Sequence, residues 1–138
     1  MPVAIDTSIL ISAEKQGAGL SPILPAGETE FYIPALAAAE FMVGTHPPVR
    51  RELRDRALQL YAKELRPLVS SFTEQDAAQL ALLISELKSL GQQMKFFDAG
   101  IAATVLARGD KLLVLDSDFD RLKGRIHLLR PLENQEGT

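Results

Sequence analysis

Short apolar runs alternate along this chain with stretches in which apolar residues recur every three or four positions. Runs of the first kind suit buried strands and stretches of the second suit amphipathic helices, so the alternation predicts an α/β fold with a mainly parallel central sheet. "PVAI" (2–5) predicts a first strand ending at Asp6, and "TSILISAEKQ" (7–16) a helix, followed by a loop rich in glycine and proline through Pro25. "FYIP" (31–34) predicts a second strand. It leads into a helix that carries Glu40 and stops near Gly44, because "THPP" cannot continue it. "VRRELRDRALQLYAKEL" (49–65) predicts an amphipathic helix with Leu53, Ala57, Leu60 and Tyr61 on one face. "RPLVSS" (66–71) predicts a short strand. Thr73 and Asp76 then have the spacing of a capping box that opens "EQDAAQLALLISELKSL" (74–90). There Ala77, Leu80, Ala81, Ile84 and Leu87 form the expected buried stripe, and Gly91 the stop. Asp98 opens "AGIAATVLARG", a small-residue helix suited to close packing. "KLLVL" (111–115) predicts a buried strand ending at Asp116, "SDFDRLKG" (117–124) a turn or short helix, and "RIHLL" (125–129) a last strand.

No repeat and no boundary interrupts this pattern, so a single-domain three-layer α/β/α sandwich is expected over residues 1–138, with about 132–138 as a flexible tail. The 46% hydrophobic and 24% charged fractions fit a globular protein with its own core. No apolar run approaches the roughly 18 residues a membrane span requires, and "MPVAIDTS" lacks the basic and apolar regions of a secretion signal. With no cysteine, disulfides and thiolate metal sites are excluded, and a cytoplasmic location is the expectation. The net charge of −3 argues against a general nucleic-acid coat but not against an enzyme that binds a cation with several carboxylates.

That last possibility carries the chemistry. Asp6 follows the first strand, Asp116 follows "KLLVL", and Asp98 begins the helix that feeds it; the carboxyl ends of parallel strands share one edge, where ligands bind. Glu40 is the single charge in "IPALAAAEFMVG", on a helix otherwise apolar enough to be buried on nearly all sides. Four carboxylates gathered at one edge repel unless a positive charge lies among them, and a hard divalent cation such as Mg²⁺ or Mn²⁺ answers that need. Plainer readings stand beside this one. Asp6 and Asp98 suit helix caps, Asp116 suits a solvated turn, and Glu40 can pair with an arginine of the 50–56 cluster.

The quoted segments together resemble the PIN domain family, in particular its small VapC-type toxin ribonucleases, over the chain to about residue 130. "IDTSIL" resembles the family's first motif with Asp6 as its acid, and "IPALAAAEFMVG" the second, with Glu40 four residues before a glycine. "DAGIAATVLARGDKLLVLDSDFDRLKG" resembles the third and fourth, giving Asp98 and Asp116, with Asp118 as the alternate fourth acid. Val114 stands where the family commonly has Thr or Ser. The resemblance implies a PIN-like fold and a Mg²⁺- or Mn²⁺-dependent endoribonuclease, the toxin of a VapBC-type pair. Asp6, Asp98 and Asp116 would be metal ligands, with Glu40 binding directly or through water and Thr7 and Ser8 supporting Asp6. It further implies a homodimer and a cognate antitoxin. Alternatives are a catalytically silent PIN-like module binding metal or RNA, and a housekeeping PIN nuclease in RNA processing.

RNA requires positive charge near the site. Lys95, Arg121 and Lys123 flank the last two acids and are the candidate backbone contacts, with Lys111 and Arg125 near them. Arg50, Arg51, Arg54 and Arg56 form a second cluster that reads first as a solvated helix face and only second as an RNA contact. No glycine-rich phosphate loop follows the first strand. His46 and His127 lie far apart, the latter expected to face outward from its strand.

Overall fold

The computed structural model describes residues 1–46 and 49–131. The expected break at Pro47–Pro48 and the expected tail at 132–138 lie outside the described residues. Five strands form one all-parallel sheet: β1 (Val3–Ile5), β2 (Phe31–Pro34), β3 (Val69–Ser70), β4 (Lys111–Leu113) and β5 (His127–Leu129), in the order β3-β2-β1-β4-β5. Five helices connect them: α1 (Thr7–Gln16), α2 (Ala35–Val43), α3 (Arg51–Leu60), α4 (Glu74–Ser89) and α5 (Phe96–Arg108). The chain moves outward from β1 to β3 and then returns to lay β4 and β5 on the other side of β1. Right-handed crossovers place helices on both faces of the sheet, with α4 packed along α5 and α2 touching both α1 and α5.

β1 lies at the reversal, and its three residues Val3, Ala4 and Ile5 have no exposed surface. Its register to β4 pairs Ala4 with Leu112 and Ile5 with Leu113, so the carboxyl ends of the two central strands finish level. A crevice outside that edge, at a reversal of strand order, is where parallel sheets bind ligands. The core continues through Ile9 and Leu10 of α1, Ile33 of β2, Leu83 of α4 and Ile101, Ala102 and Val105 of α5. No helix among the described residues is long and apolar enough to cross a membrane.

Three expectations about elements change. The helix expected over 49–65 is regular only to Leu60 and finishes in a wider π turn, Tyr61–Leu65, where Glu64 Oε1 accepts the Leu20 amide at 3.1 Å and ties down the loop after α1. The "KLLVL" strand is paired as a strand only over Lys111–Leu113, although the Val114 amide still reaches Leu129 O at 2.9 Å. The stripe on α4 is one step out of register: Asp76, Leu83 and Leu87 are buried and Leu80 partly so, while Ala77 and Ala81 are exposed. Thr73 and Asp76 do form the capping box, with Oδ2 of Asp76 accepting the Thr73 amide at 3.1 Å.

Candidate active site

Asp6 is the residue at which β1 turns into α1. It is 3% exposed, caps the helix, and its Oδ2 accepts both the Ser8 amide at 3.2 Å and the Ser8 hydroxyl at 2.6 Å. Ser8 Oγ in turn accepts the Leu115 amide at 3.2 Å, and the Asp6 amide donates to Leu113 O at 3.0 Å. The hydroxyl thus bridges the ends of β1 and β4. The cap reading of Asp6 holds, but it uses one oxygen only, for Oδ1 is buried without a hydrogen-bond partner. Burial pushes the carboxyl from 3.8 up to about 7; the Ser8 hydrogen bonds pull it down, and Asp116 and Asp98 push it further up. The Thr7 hydroxyl beside it is also buried and unpaired.

Asp98 is not a cap. α5 starts at Phe96 with Lys95 in the cap position, which puts Asp98 in the first turn, 7% exposed, where the helix dipole favours a negative charge. Its carboxyl is nevertheless raised to about 6. Burial is the main cause, followed by the charges of Asp118, Glu40 and Asp116, with Lys95 acting in the opposite sense. The charges of Asp118, Glu40 and Asp116 thus act on Asp98, and those of Asp116 and Asp98 on Asp6.

Glu40 reaches this group because α2 and α5 lie unusually close. Gly100 makes that possible: a Cβ there would fall on Leu36 Cδ1 and stand 3.3 Å from its Cγ. Leu36 is one helical turn before Glu40, and Gly100 half a turn after Asp98. Glu40 is half-buried and forms no ion pair among the described residues; Arg56, which lines the same groove, pairs instead with Glu14 at 3.2 Å. The proposed partnership of Glu40 with the arginine cluster is thus not formed, and Arg50, Arg51, Arg54 and Arg56 are all exposed, as a solvated face would be.

Asp116 is exposed and its Oδ1 accepts the Asp118 amide at 3.2 Å, so the turn reading is correct for its hydrogen bonding. Its charge still acts on both Asp6 and Asp98. Asp118 is the nearer in effect to Asp98, and the two share a cleft of about 500 Å³ with Lys95, Ser117 and Arg121. Of the two candidates for the fourth acid, Asp116 acts on both Asp6 and Asp98, whereas Asp118 acts on Asp98. Arg130, which sequence reading passed over, holds this segment by donating to Asp116 O at 2.7 Å. Nothing in its local sequence signals that role.

Of the expected basic contacts, Lys95 and Arg121 line the cleft, with Arg121 also donating to Gln93 O at 2.7 Å. Lys123 does not; it borders a separate opening beyond β5 with Arg125 and His127. His127 is exposed on that edge strand, as expected. Val114 is fully buried in the core, and the polar link between β4 and Asp6 is made by Ser8 instead.

The donor set is all oxygen, which suits a hard divalent cation. An unpartnered buried carboxylate oxygen and two carboxyls raised toward neutrality by mutual repulsion and burial are what such a site shows before it is neutralised. Among the described residues no three acids are yet drawn together tightly enough to hold one ion. They border a common region without clasping a point in it.

The sequence model of the PIN domain matches residues 3–125. No curated protein matches the chain in sequence. Among solved structures it is similar to a chain of VapBC2 from Rickettsia felis, bound to a DNA fragment from their promoter, at 19% identity and a TM-score of 0.76, covering 95% of this chain and 99% of that one. A chain of VapBC-5 from Mycobacterium tuberculosis, a member of the VapBC family of toxin–antitoxin systems, gives 20% identity and a TM-score of 0.72 over 94% and 97%. FitAcB from Neisseria gonorrhoeae gives 16% and 0.64 over 92% and 96%. At these identities the likeness is one of fold.

Proposed function

The chain belongs to the PIN domain family, and on that footing we propose that it is a Mg²⁺- or Mn²⁺-dependent endoribonuclease acting as the toxin of a VapBC-type pair. Divalent-metal dependence is general among PIN domains. The observation that carries the reading is Asp6: a carboxylate 3% exposed, with one oxygen without a partner and with Asp116 and Asp98 as the charges that act on it. Such a group is stable only when protonated or when a cation joins it.

In this reading Asp6 and Asp98 hold the ion, with Asp116, Asp118 and Glu40 binding directly or through water. The bound cation supplies neutralisation of the phosphodiester charge and a water of lowered pKa. Ser8 fixes Asp6 through Oδ2 and leaves Oδ1 for the ion. Lys95 and Arg121 hold the RNA backbone beside the acids without reading sequence. Asp6 and Asp98 must release protons before the ion enters, so metal affinity rises with pH through the 6 to 7 range set by their carboxyls. No side chain serves as a covalent nucleophile. The protein would act as a homodimer, silenced by a cognate antitoxin.

One observation favours the alternative of a PIN-like module that binds without cutting: no three acids are yet at a shared point. The test uses total cellular RNA incubated with pure protein in Mn²⁺ or Mg²⁺, and again in EDTA, with Asp98→Asn alongside, and maps new 5′ ends. Discrete ends that need metal and vanish in the variant are expected. Folded, antitoxin-free protein that makes none in either metal would establish the non-cutting module. Cleavage that persists at saturating cognate antitoxin would end the toxin assignment and leave a housekeeping nuclease.

A further inference from the structure

Resting on the RNA reading above, we propose that Phe96 is a stacking platform for the base adjoining the phosphodiester held at the acid cluster. Phe96 is the first residue of α5 and 60% exposed, although phenylalanine is neither a favoured helix opener nor at ease in water. It is two residues before Asp98, so the two Cα atoms are separated by about 3 Å along the axis, and their side chains leave opposite sides of the helix tip. Its ring is backed by Phe97, edge-on at 6.0 Å and 67°, and Phe97 is itself partly buried. The ring is thus both exposed and supported.

The surroundings divide by character. On the Asp98 side, Lys95 and Arg121 line the cleft. On the other side lies α2. Leu36 of α2 meets Gly100, which lies four residues after Phe96 on the same face of α5. Val43, seven residues after Leu36 and so on the same face of α2, is also 60% exposed. Cations beside the acids and an apolar rim across the helix tip match a nucleotide laid over that tip, with its phosphate on one side and its base on the other. Aromatic faces interleaved with cations are how single-stranded nucleic acid is held, and stacking tolerates any base. A docking surface for a protein has no need of the flanking cations.

The chain contains no tryptophan, so Phe96→Trp introduces a single fluorophore at the proposed platform. In a Phe96→Trp, Asp98→Asn background, which binds without turnover, short single-stranded RNA should quench its emission. An abasic phosphodiester of equal length, shown by anisotropy to bind, should leave it unchanged. In the Asp98 background, Phe96→Ala should lower cleavage by about 5- to 100-fold, mainly through KM, with Phe96→Tyr restoring it. Bound RNA that fails to quench, equal quenching by the abasic chain, or Phe96→Ala cutting as the parent does overturns the platform while the nuclease reading survives. If Phe96→Ala instead converts a dimer to a monomer with cleavage per folded chain intact, Phe96 belongs to a contact between copies. If the parent chain neither binds nor cuts RNA, both readings fall.

Discussion

Asp6 and Asp76 are two deeply buried aspartates with opposite solutions to the same problem. Each takes part in opening a helix, each is at most 3% exposed, and each has an Oδ1 atom without a partner. Asp76 has its countercharge within the chain. Its Oδ2 accepts from the Thr73 amide and the Thr104 hydroxyl, both at 3.1 Å, and Arg108 stands at 3.4 Å. Arg108 is itself held by Ser70, the Ser71 carbonyl and the face of Tyr32. Asp6 has only Ser8, and its charged neighbours are further acids. A buried carboxylate paired from within pins helices together; one left among like charges marks a place kept for something from outside.

The largest effect that could break this contrast is on cleavage. Asp6→Asn or Asp98→Asn is expected to lower metal-dependent RNA cleavage on the order of 1000-fold or more, with the circular dichroism spectrum unchanged. Asp76→Ala should do the reverse. Thermal unfolding should show a loss of about 2 kcal/mol or more, from the orphaned Thr104 and weakened hold on Arg108, while each folded molecule cuts as before. An Asp76 variant that is stable but inactive would erase the distinction.

A third effect sharpens it through pH. In the folded chain the Asp6 carboxyl is raised from 3.8 to about 7, so the unfolded chain releases this proton first as pH rises. The cost to the fold is absent near pH 4, grows between the two values and is complete above pH 7. Asp6→Asn, which keeps the cap, should therefore be more stable than the parent by about 1 to 3 kcal/mol above pH 7. The shift sets a ceiling of about 4 kcal/mol, and the advantage should vanish toward pH 4. Added Mg²⁺ or Mn²⁺ should raise the parent's Tm above pH 7 and leave the variant's in place. The smallest effect concerns spacing. Gly100→Ala forces Leu36 aside or α2 outward, and a partly exposed Leu36 can swing, so a loss of cleavage below about tenfold with weakened metal binding is expected.

Much of the frame was legible because its signals are local. Asp6, the 7–16 helix and Gly17 in the left-handed conformation form a complete cap-to-cap unit, and "FYIP" is bounded by its own proline. What failed depends on partners far away in sequence. α4 carries so many alanines and leucines that periodicity admits two stripes, and the real one includes Asp76 because Thr104 and Arg108 make its burial possible. Asp98 resembles a cap by type, yet the two phenylalanines before it extend α5 backward. Asp6 and Asp116 stand out in the sequence as acids after strands, Asp98 as one at a helix start and Glu40 as the lone charge of an apolar helix. That Asp118 acts on Asp98 more strongly than Asp116 does, and that Arg130 grips the segment between them, depends on how the turn after β4 closes.

The register of the central strands sets an order of events during synthesis. Val3 pairs with Lys111 and Ala4 with Leu112, so the first strand to leave the ribosome waits for nearly the whole chain before its second neighbour exists. Asp6 meets its fellow acids only then, after Asp98, Asp116 and Asp118 have cleared the exit tunnel. Until β4 emerges one edge of β1 stays unpaired, and a chain that ends before Lys111 cannot complete the sheet.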